Sequence, residues 1–208
     1  MVRAWVTTPS HFRAIVRVKQ PAVEPVSLVE IKHHLGIEPE MADDDDYLLG
    51  LISSARILVE ERISQTLVAT QWRAKLHHVY GCGCVGIEVP YPPLLFDEFD
   101  YPIEITWKTN DGTLETMDPA DIEPDVEEFP GRIRLRKGIR SECCHSLATI
   151  KWWAGYEDPA AVPRPIRTAI TRIVAGMYGN RGDTAEAVYE KDAGVASMLA
   201  ACSYNGRF

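Results

Sequence analysis

Residues 27–67 constrain the fold more than any other stretch, because they encode two consecutive helices whose boundaries are written in the sequence. Ser27 followed three residues later by Glu30 is a capping box: the serine hydroxyl accepts from an N–H that has no helical partner, and the glutamate reaches back to the cap. The spacing predicts a short helix from Leu28, with Leu28, Ile31 and Leu35 on one side and Gly36 ending it in the left-handed conformation. The acidic run 43–46 then puts carboxylates at the positive end of the next helix, where they suit both capping and the helix dipole. That second helix carries Leu48, Leu51, Ile52, Ala55, Leu58, Val59 and Ile63 at helical spacing, an apolar face about four turns long. Such a face has to be covered.

The same chain supplies a cover. Pro163 and Pro165 fit the first turn of a helix, where a missing N–H costs nothing. Ile166, Ala169, Ile170, Ile173, Val174 and Met177 then form an apolar stripe that stops near Gly179-Asn180. A polar connection over residues 181–192 leads to a short last helix around Val195, Met198 and Leu199, and then to the chain end.

Between the two helical blocks the periodicity becomes alternating. Trp72, Ala74, Leu76 and Val79 mark one strand, Ile87 and Val89 another, and Ile103, Ile105 and Trp107 a third. Asn110-Asp111-Gly112 is a hairpin turn signal, because Asn and Gly tolerate positive φ, and Leu114 and Met117 continue beyond it. After Pro130-Gly131, Ile133 and Leu135 alternate with Arg132, Arg134 and Arg136, and residues 150–153 form a last strand. The expected class is therefore α+β: an α-helical core of three to four helices with an inserted antiparallel β subdomain. The expected division is an N-terminal arm over 1–26, the first part of the helical core over 27–69, the β-rich subdomain over 70–156, the closing helix over 157–181 and a C-terminal tail with a short helix over 182–208.

Composition narrows the function classes. A chain of 208 residues that is 46% hydrophobic can bury one substantial domain with a subdomain inserted. Its net charge of -8 argues against a protein whose main task is gripping phosphates, since that affinity comes from clustered Lys and Arg. No apolar run reaches the roughly 18 residues of a membrane span, and no signal-peptide core is evident, so a cytoplasmic chain without membrane contact is expected. Five cysteines, with Cys82/Cys84 and Cys143/Cys144 in tight pairs, do not make a disulfide framework, and reduced thiols are expected.

Charge is unevenly distributed. Arg3, Arg13, Arg17 and Lys19 meet no acidic residue until Glu24, and the stretch reads as an extended arm with room for one short strand, either a solvated terminus or an arm lying across another subunit. Between Asp97 and Glu128 there are 12 acidic residues against Lys108 alone, whereas 132–140 hold five basic residues and no acid. Two readings follow: solvated faces, or head-to-tail contact in which the acidic edge of one copy meets the Arg132, Arg134 and Arg136 face of the next. The polar side of the long helix, with Arg56, Glu60, Glu61 and Arg62, is the second candidate for contact with a neighbouring copy. The chain end, with Tyr204, Arg207 and Phe208, reads either as a peptide anchor or as a frayed terminus.

Catalytic and ligand-binding motifs are weak. Gly81-Cys82-Gly83-Cys84-Val85-Gly86 matches the letters of a dinucleotide fingerprint, but the segment after it reads as strand, where phosphate binding requires a helix N-terminus. Cys82, Cys84, Cys143, Cys144, His77, His78 and His145 are soft ligands in type, yet the C-x-C and C-C-H spacings differ from the usual paired C-x₂-C, and no metal is assigned. The 43–46 run lacks the glycine and terminal glutamate of a calcium loop, and Arg181-Gly182-Asp183 reads as a turn. No Ser or Cys sits in a nucleophile motif, so neither catalytic residues nor a cofactor are assigned.

The order of the parts says more than any single residue. A capped short helix, an acidic turn, a long helix ending in Ser64-Gln65-Thr66-Leu67-Val68-Ala69-Thr70-Gln71-Trp72, a β insertion, Ala154-Gly155-Tyr156 and then residues 162–181 follow one another collinearly. This series resembles the head-tail connector, or adaptor, proteins of tailed bacteriophages and gene transfer agents, over most of residues 24–204. The resemblance implies a structural virion protein of the neck, assembled in the host cytoplasm into a ring commonly of twelve copies. DNA would pass through the lumen without sequence-specific binding. The partners implied are other copies of the chain, the portal protein, and a tail-side neck or stopper protein. It also implies that the C-terminal segment engages the portal, which makes Met198, Leu199, Tyr204, Arg207 and Phe208 the candidate contacts. The extension before Glu24 and the cysteine-rich β loops depart from the family pattern. A metal-stabilised protein-binding module of non-viral role is the alternative.

Overall fold

Ser27 caps the first helix as its spacing requires. The computed structural model describes residues 12–76, 86–109, 111–136 and 148–204. In it the Ser27 hydroxyl accepts from the Glu30 N–H at 3.2 Å and the Glu30 carboxylate accepts from the Ser27 N–H at 2.8 Å. Helix α1 (Leu28–Leu35) ends at Gly36, whose φ of 70° lets its N–H turn back to the His33 and Lys32 carbonyls. Four more helices complete the helical unit, built from residues 21–68 and 156–204: α2 (Asp45–Ile63), α3 (Arg164–Gly179), α4 (Ala185–Lys191) and α5 (Ala193–Cys202). All six stripe residues of α3 are buried, in one cluster with Leu48, Ile52, Ala55, Leu58, Val59 and Ile63 of α2, and Leu51 stays partly exposed beside it.

Two details differ from the sequence expectation. Asp44, at the start of α2, forms no side-chain cap bond. Its carboxylate instead accepts from the Tyr178 hydroxyl on α3 at 2.7 Å and from Arg181 just beyond that helix at 2.9 Å, donors that outcompete a helix N–H for a charged acceptor. The dipole argument still applies, with Asp45 and Asp46 in the first turn. Residues 181–192, read as a polar connection, contain α4, started by Thr184 accepting from the Ala187 N–H at 3.2 Å. Its apolar anchor Val188 lies against Gly176, where a Cβ would stand only 2.5 Å from the valine methyl. The bare glycine is what lets α4 approach α3.

The cap also sets an acid sensitivity. Burial alone would raise the Glu30 carboxyl, but hydrogen bonds from the Ser27 N–H and hydroxyl, with the Arg167 guanidinium beside it, hold it below the ordinary carboxylate value. A carboxyl lowered on folding contributes stability that is present above its unfolded pKa of about 4.3 and is lost as pH falls through the folded value. Glu30→Gln is expected to reduce that acid-dependent loss, measured as the slope of the denaturation midpoint against pH below that value. Ser27→Ala is expected to cost about 1 kcal/mol at neutral pH.

The β unit comprises residues 12–20 and Ala69–Gly155. Its strands are β1 (Phe12–Lys19), β2 (Thr70–Leu76), β3 (Gly86–Glu88), β4 (Leu94–Leu95), β5 (Glu104–Lys108), β6 (Leu114–Thr116), β7 (Ile122–Asp125), β8 (Arg132–Leu135) and β9 (Ala148–Ala154). One sheet runs β1-β2-β9-β5-β6, with β4 also on β9; the second runs β3-β8-β7, and every pairing is antiparallel. Burial alternates along the strands, so Trp72, Ala74 and Leu76 of β2 and Ile150 and Trp152 of β9 share one apolar cluster with Ile133 and Leu135 of β8. Gly112, at φ 87°, turns the β5–β6 hairpin in the place the turn signal marks, and Asn110 beside it lies outside the described residues.

The described part of the N-terminal arm is extended and pairs with the sheet. Residues 12–19 form β1, an edge strand on β2, with bulges and a positive φ of 51° at Ala14. The short strand of the arm is thus β1, paired within its own chain, and residues 1–11 lie outside the described residues. Arg17 lies 4.9 Å from the Trp72 ring centroid and Lys19 lies 5.4 Å from that of Trp153, so two of the arm's cations stack on aromatics of their own sheet.

Candidate functional site

The surfaces available for assembly are set by which charged side chains the fold has already engaged. On α2 the face expected to meet a neighbour divides. Arg56 and Glu60 are 2% and 4% exposed and belong to an internal network. The Arg56 Nε donates to Glu24 at 2.7 Å and its Nη1 donates to Glu60 at 2.9 Å, while the other Glu60 oxygen accepts from the Leu67 N–H at 3.0 Å. This corrects the assignment of these two residues to a subunit interface: helical periodicity places them inward, and ionic partners within the chain make the burial tolerable. Glu61 and Arg62 remain exposed, and Arg62 pairs with Glu186 and stacks 4.9 Å from the Tyr189 ring centroid.

The Arg face of β8 is engaged in the same way. Arg132 pairs with Glu128 at 2.8 Å and with Glu88 at 3.8 Å, Arg134 with Asp125 at 3.1 Å, and Arg136 with Glu123 at 3.8 Å. Acidic and basic blocks that are separate in sequence become neighbouring antiparallel strands, and the carboxylates of β7 meet the guanidiniums of β8 across the ladder. Much of the charge segregation is therefore balanced within one protomer, although Arg134 and Arg136 remain on the surface.

At the C-terminus the fold separates the candidate residues. Leu199 is 2% exposed and belongs to the helical core, which corrects its reading as a partner contact. Met198 packs partly against that core, and Tyr204 is half-buried with its N–H donating to the Ile63 carbonyl at 2.9 Å. Gln65 donates to the Cys202 carbonyl at 2.6 Å, so the end of α5 is fastened to the end of α2. Arg207 and Phe208 lie outside the described residues, as do His77, His78, Cys82, Cys84, Cys143, Cys144 and His145. Among the described residues no cluster of His, Cys, Asp or Glu is arranged to hold a metal ion, and no helix is long and apolar enough to cross a membrane.

Sequence reasoning missed the outer face of the larger sheet. Arg13 of β1 lies opposite Lys75 of β2, and Arg73 of β2 lies opposite Lys151 of β9. The signal was present only as scattered basic residues at alternate positions on strands far apart in sequence. Tyr178 shows how locally the electrostatics are set: its hydrogen bond to the Asp44 carboxylate, followed by burial, pushes the hydroxyl above its ordinary pKa.

Comparisons agree with this architecture. Residues 25–82 match the family described as phage gp6-like head-tail connector protein. The whole fold is similar to a chain in the neck of an empty gene transfer agent particle computed with sixfold symmetry, at a TM-score of 0.72 and 15% identity, covering 94% of this chain and 98% of that one. It is likewise similar to a chain in the neck of the native particle computed with twelvefold symmetry, at a TM-score of 0.69, 16% identity and the same coverage of 94% and 98%. A chain in the virion of the native particle gives a TM-score of 0.68 at 16% identity, again over 94% and 98%. No curated protein sequence matches the chain. At such identities the structural likeness is one of fold, and the connector signature in the sequence spans the first helices and the start of the β unit. The α+β class and the resemblance read from the sequence both agree with these findings.

Proposed function

We propose that this chain is the subunit of a head-tail connector, a ring that joins the head of a phage-like particle to its tail and lets DNA through its centre. The observation that carries this reading is a coincidence of two kinds of likeness. The helical segment that organises the chain matches a connector family by sequence, and the fold of nearly the whole chain matches neck subunits end to end. Two of the neighbours come from particle necks, which supports a site of action between portal and tail and a role that needs no chemistry from the side chains. The neck computed with twelvefold symmetry favours twelve copies. On this reading one side of the ring meets the portal protein and the other a tail-side neck or stopper protein. With Leu199 in the core, portal contact falls to Met198, Tyr204, Arg207 and Phe208. A net charge of -8 suits a channel that repels phosphates and lets DNA slide.

The test is direct. The purified chain, alone and mixed with the portal protein of the same particle, is expected to form closed rings in negative-stain electron microscopy. Particles made without the chain are expected to be full heads that lack tails. Monomers in both preparations, together with tailed particles in its absence, overturn the reading.

A further inference from the structure

The solvent face of the larger sheet is basic in an acidic protein. Strand alternation turns Arg13 and Lys19 of β1, Arg73 and Lys75 of β2, Lys108 of β5 and Lys151 of β9 to that face. Among the described residues the one carboxylate beside them is Glu104, paired with Lys151 at 2.8 Å. Six cations thus share a face with one carboxylate, in a chain of net charge -8. The register sharpens the point, because Arg13 stands opposite Lys75 and Arg73 opposite Lys151. Like charges directly across a ladder destabilise a free sheet, and an anion docked on them turns that repulsion into attraction.

An anion of matching character sits on the same unit. Just after β4 the Asp97 N–H donates to the Tyr101 carbonyl at 3.4 Å and the Tyr101 N–H returns to the Asp97 carbonyl at 3.2 Å, closing a tight turn. The Asp97 carboxylate accepts from the N–H groups of Phe99 and Asp100 at 2.9 and 3.1 Å, which fixes the tip. Phe99 stands 86% exposed there between Glu98 and Asp100. Aromatic side chains are enriched where interfaces bury surface, and the two carboxylates beside this one supply charge opposite to that of the basic face. The turn rises at the Trp153 end of β9, where Tyr101 lies edge-on to Trp153 at 5.4 Å, whereas the Arg13–Lys75 pair is level with Thr149. Knob and receiving face are therefore displaced along the strands, the arrangement that propagates head to tail.

We propose that the basic outer face of β1, β2 and β9 receives the Asp97–Tyr101 turn of a second copy of this chain, with Glu98 and Asp100 against Arg73 and Lys75 and Phe99 laid over their cationic groups. This rests on the ring reading and names the contact that would build the ring. A second copy fits better than nucleic acid, because a polyanion long enough to span the face meets repulsion from the net negative charge of the rest of the chain. It also replaces the Arg132, Arg134 and Arg136 face, whose partners lie within the protomer.

The experiment compares wild type, Arg73→Glu/Lys75→Glu, Glu98→Lys/Asp100→Lys and an equimolar mixture of the two variants, by analytical ultracentrifugation and electron microscopy. Each variant alone is expected to keep its circular dichroism spectrum and to need a roughly tenfold or higher concentration to assemble. The mixture is expected to recover assembly, since every contact in an alternating ring again joins opposite charges. Phe99→Ala, which leaves charge unchanged, is expected to weaken assembly too. Rings of Arg73→Glu/Lys75→Glu at wild-type concentrations overturn the contact while leaving the ring reading intact. Unchanged assembly with lost affinity for a mixed-sequence DNA duplex overturns it in favour of nucleic acid. If wild type forms no ring even with its portal protein, the ring reading fails. The mixture then reads the contact as pairwise association, and no association there overturns the contact as well.

Discussion

Arg56→Ala is expected to destabilise the helical unit by about 3–5 kcal/mol, the usual cost of removing one partner from a buried ion pair. The reason lies in what is left behind. Glu60 is 4% exposed, and without the guanidinium its carboxylate is left charged in a setting that excludes water, with the Leu67 N–H still donating to it. Glu24, at 24% side-chain exposure, can turn to solvent and loses less. Arg56→Met combined with Glu60→Gln removes both buried charges and keeps an acceptor for the Leu67 N–H, so the pair is expected to recover most of the loss. A double variant no better than the single would show that the network acts through shape and not through charge. The measurement is urea denaturation followed by far-UV circular dichroism, which the helices dominate.

The β unit has its own weak point. Trp152 is fully buried at the centre of the larger sheet, opposite Trp72 on β2 and 5.9 Å from the Phe12 ring. Trp152→Ala is expected to cost about 3–5 kcal/mol, the transfer free energy of the indole plus the cavity it leaves. Trp152→Phe is expected to cost much less, because the indole N–H has no hydrogen-bond partner among the described residues and only volume is lost. The described tryptophans, Trp72, Trp107, Trp152 and Trp153, all lie in the β unit. Intrinsic fluorescence therefore reads the β unit, while the far-UV signal reads the helices. The two cores are separate clusters, so Trp152→Ala is expected to lower the fluorescence midpoint more than the far-UV midpoint. Equal shifts by both probes would mean that the units unfold together.

Much of the fold was legible because it follows from local rules. The capping box at Ser27, the stop at Gly36, the α3 stripe and the hairpin at Asp111-Gly112 each depend on residues within a few positions of one another. What escaped was either short or non-local. Helix α4 was hidden because its seven residues carry a single buried apolar side chain, Val188, too few for a periodicity to register. The bounds and partner of β1 were not legible, because an edge strand broken by bulges shows little alternation. The candidate contacts suffered most. Arg56, Glu60 and Leu199 look like surface or tail residues in sequence, and only their partners from other segments show them to be interior.

The sequence by itself determined the longer elements, their order and the two apolar faces that had to meet, since helix caps, turn glycines and periodicity act over one or two turns of chain. Tertiary structure alone decided where the charges went. It laid β7 beside β8 and so cancelled an acidic block against a basic one, and it brought Arg13, Arg73, Lys75 and Lys151 from three distant segments onto one face. Coulomb energy depends on distance through space, which the order of residues along the chain does not contain.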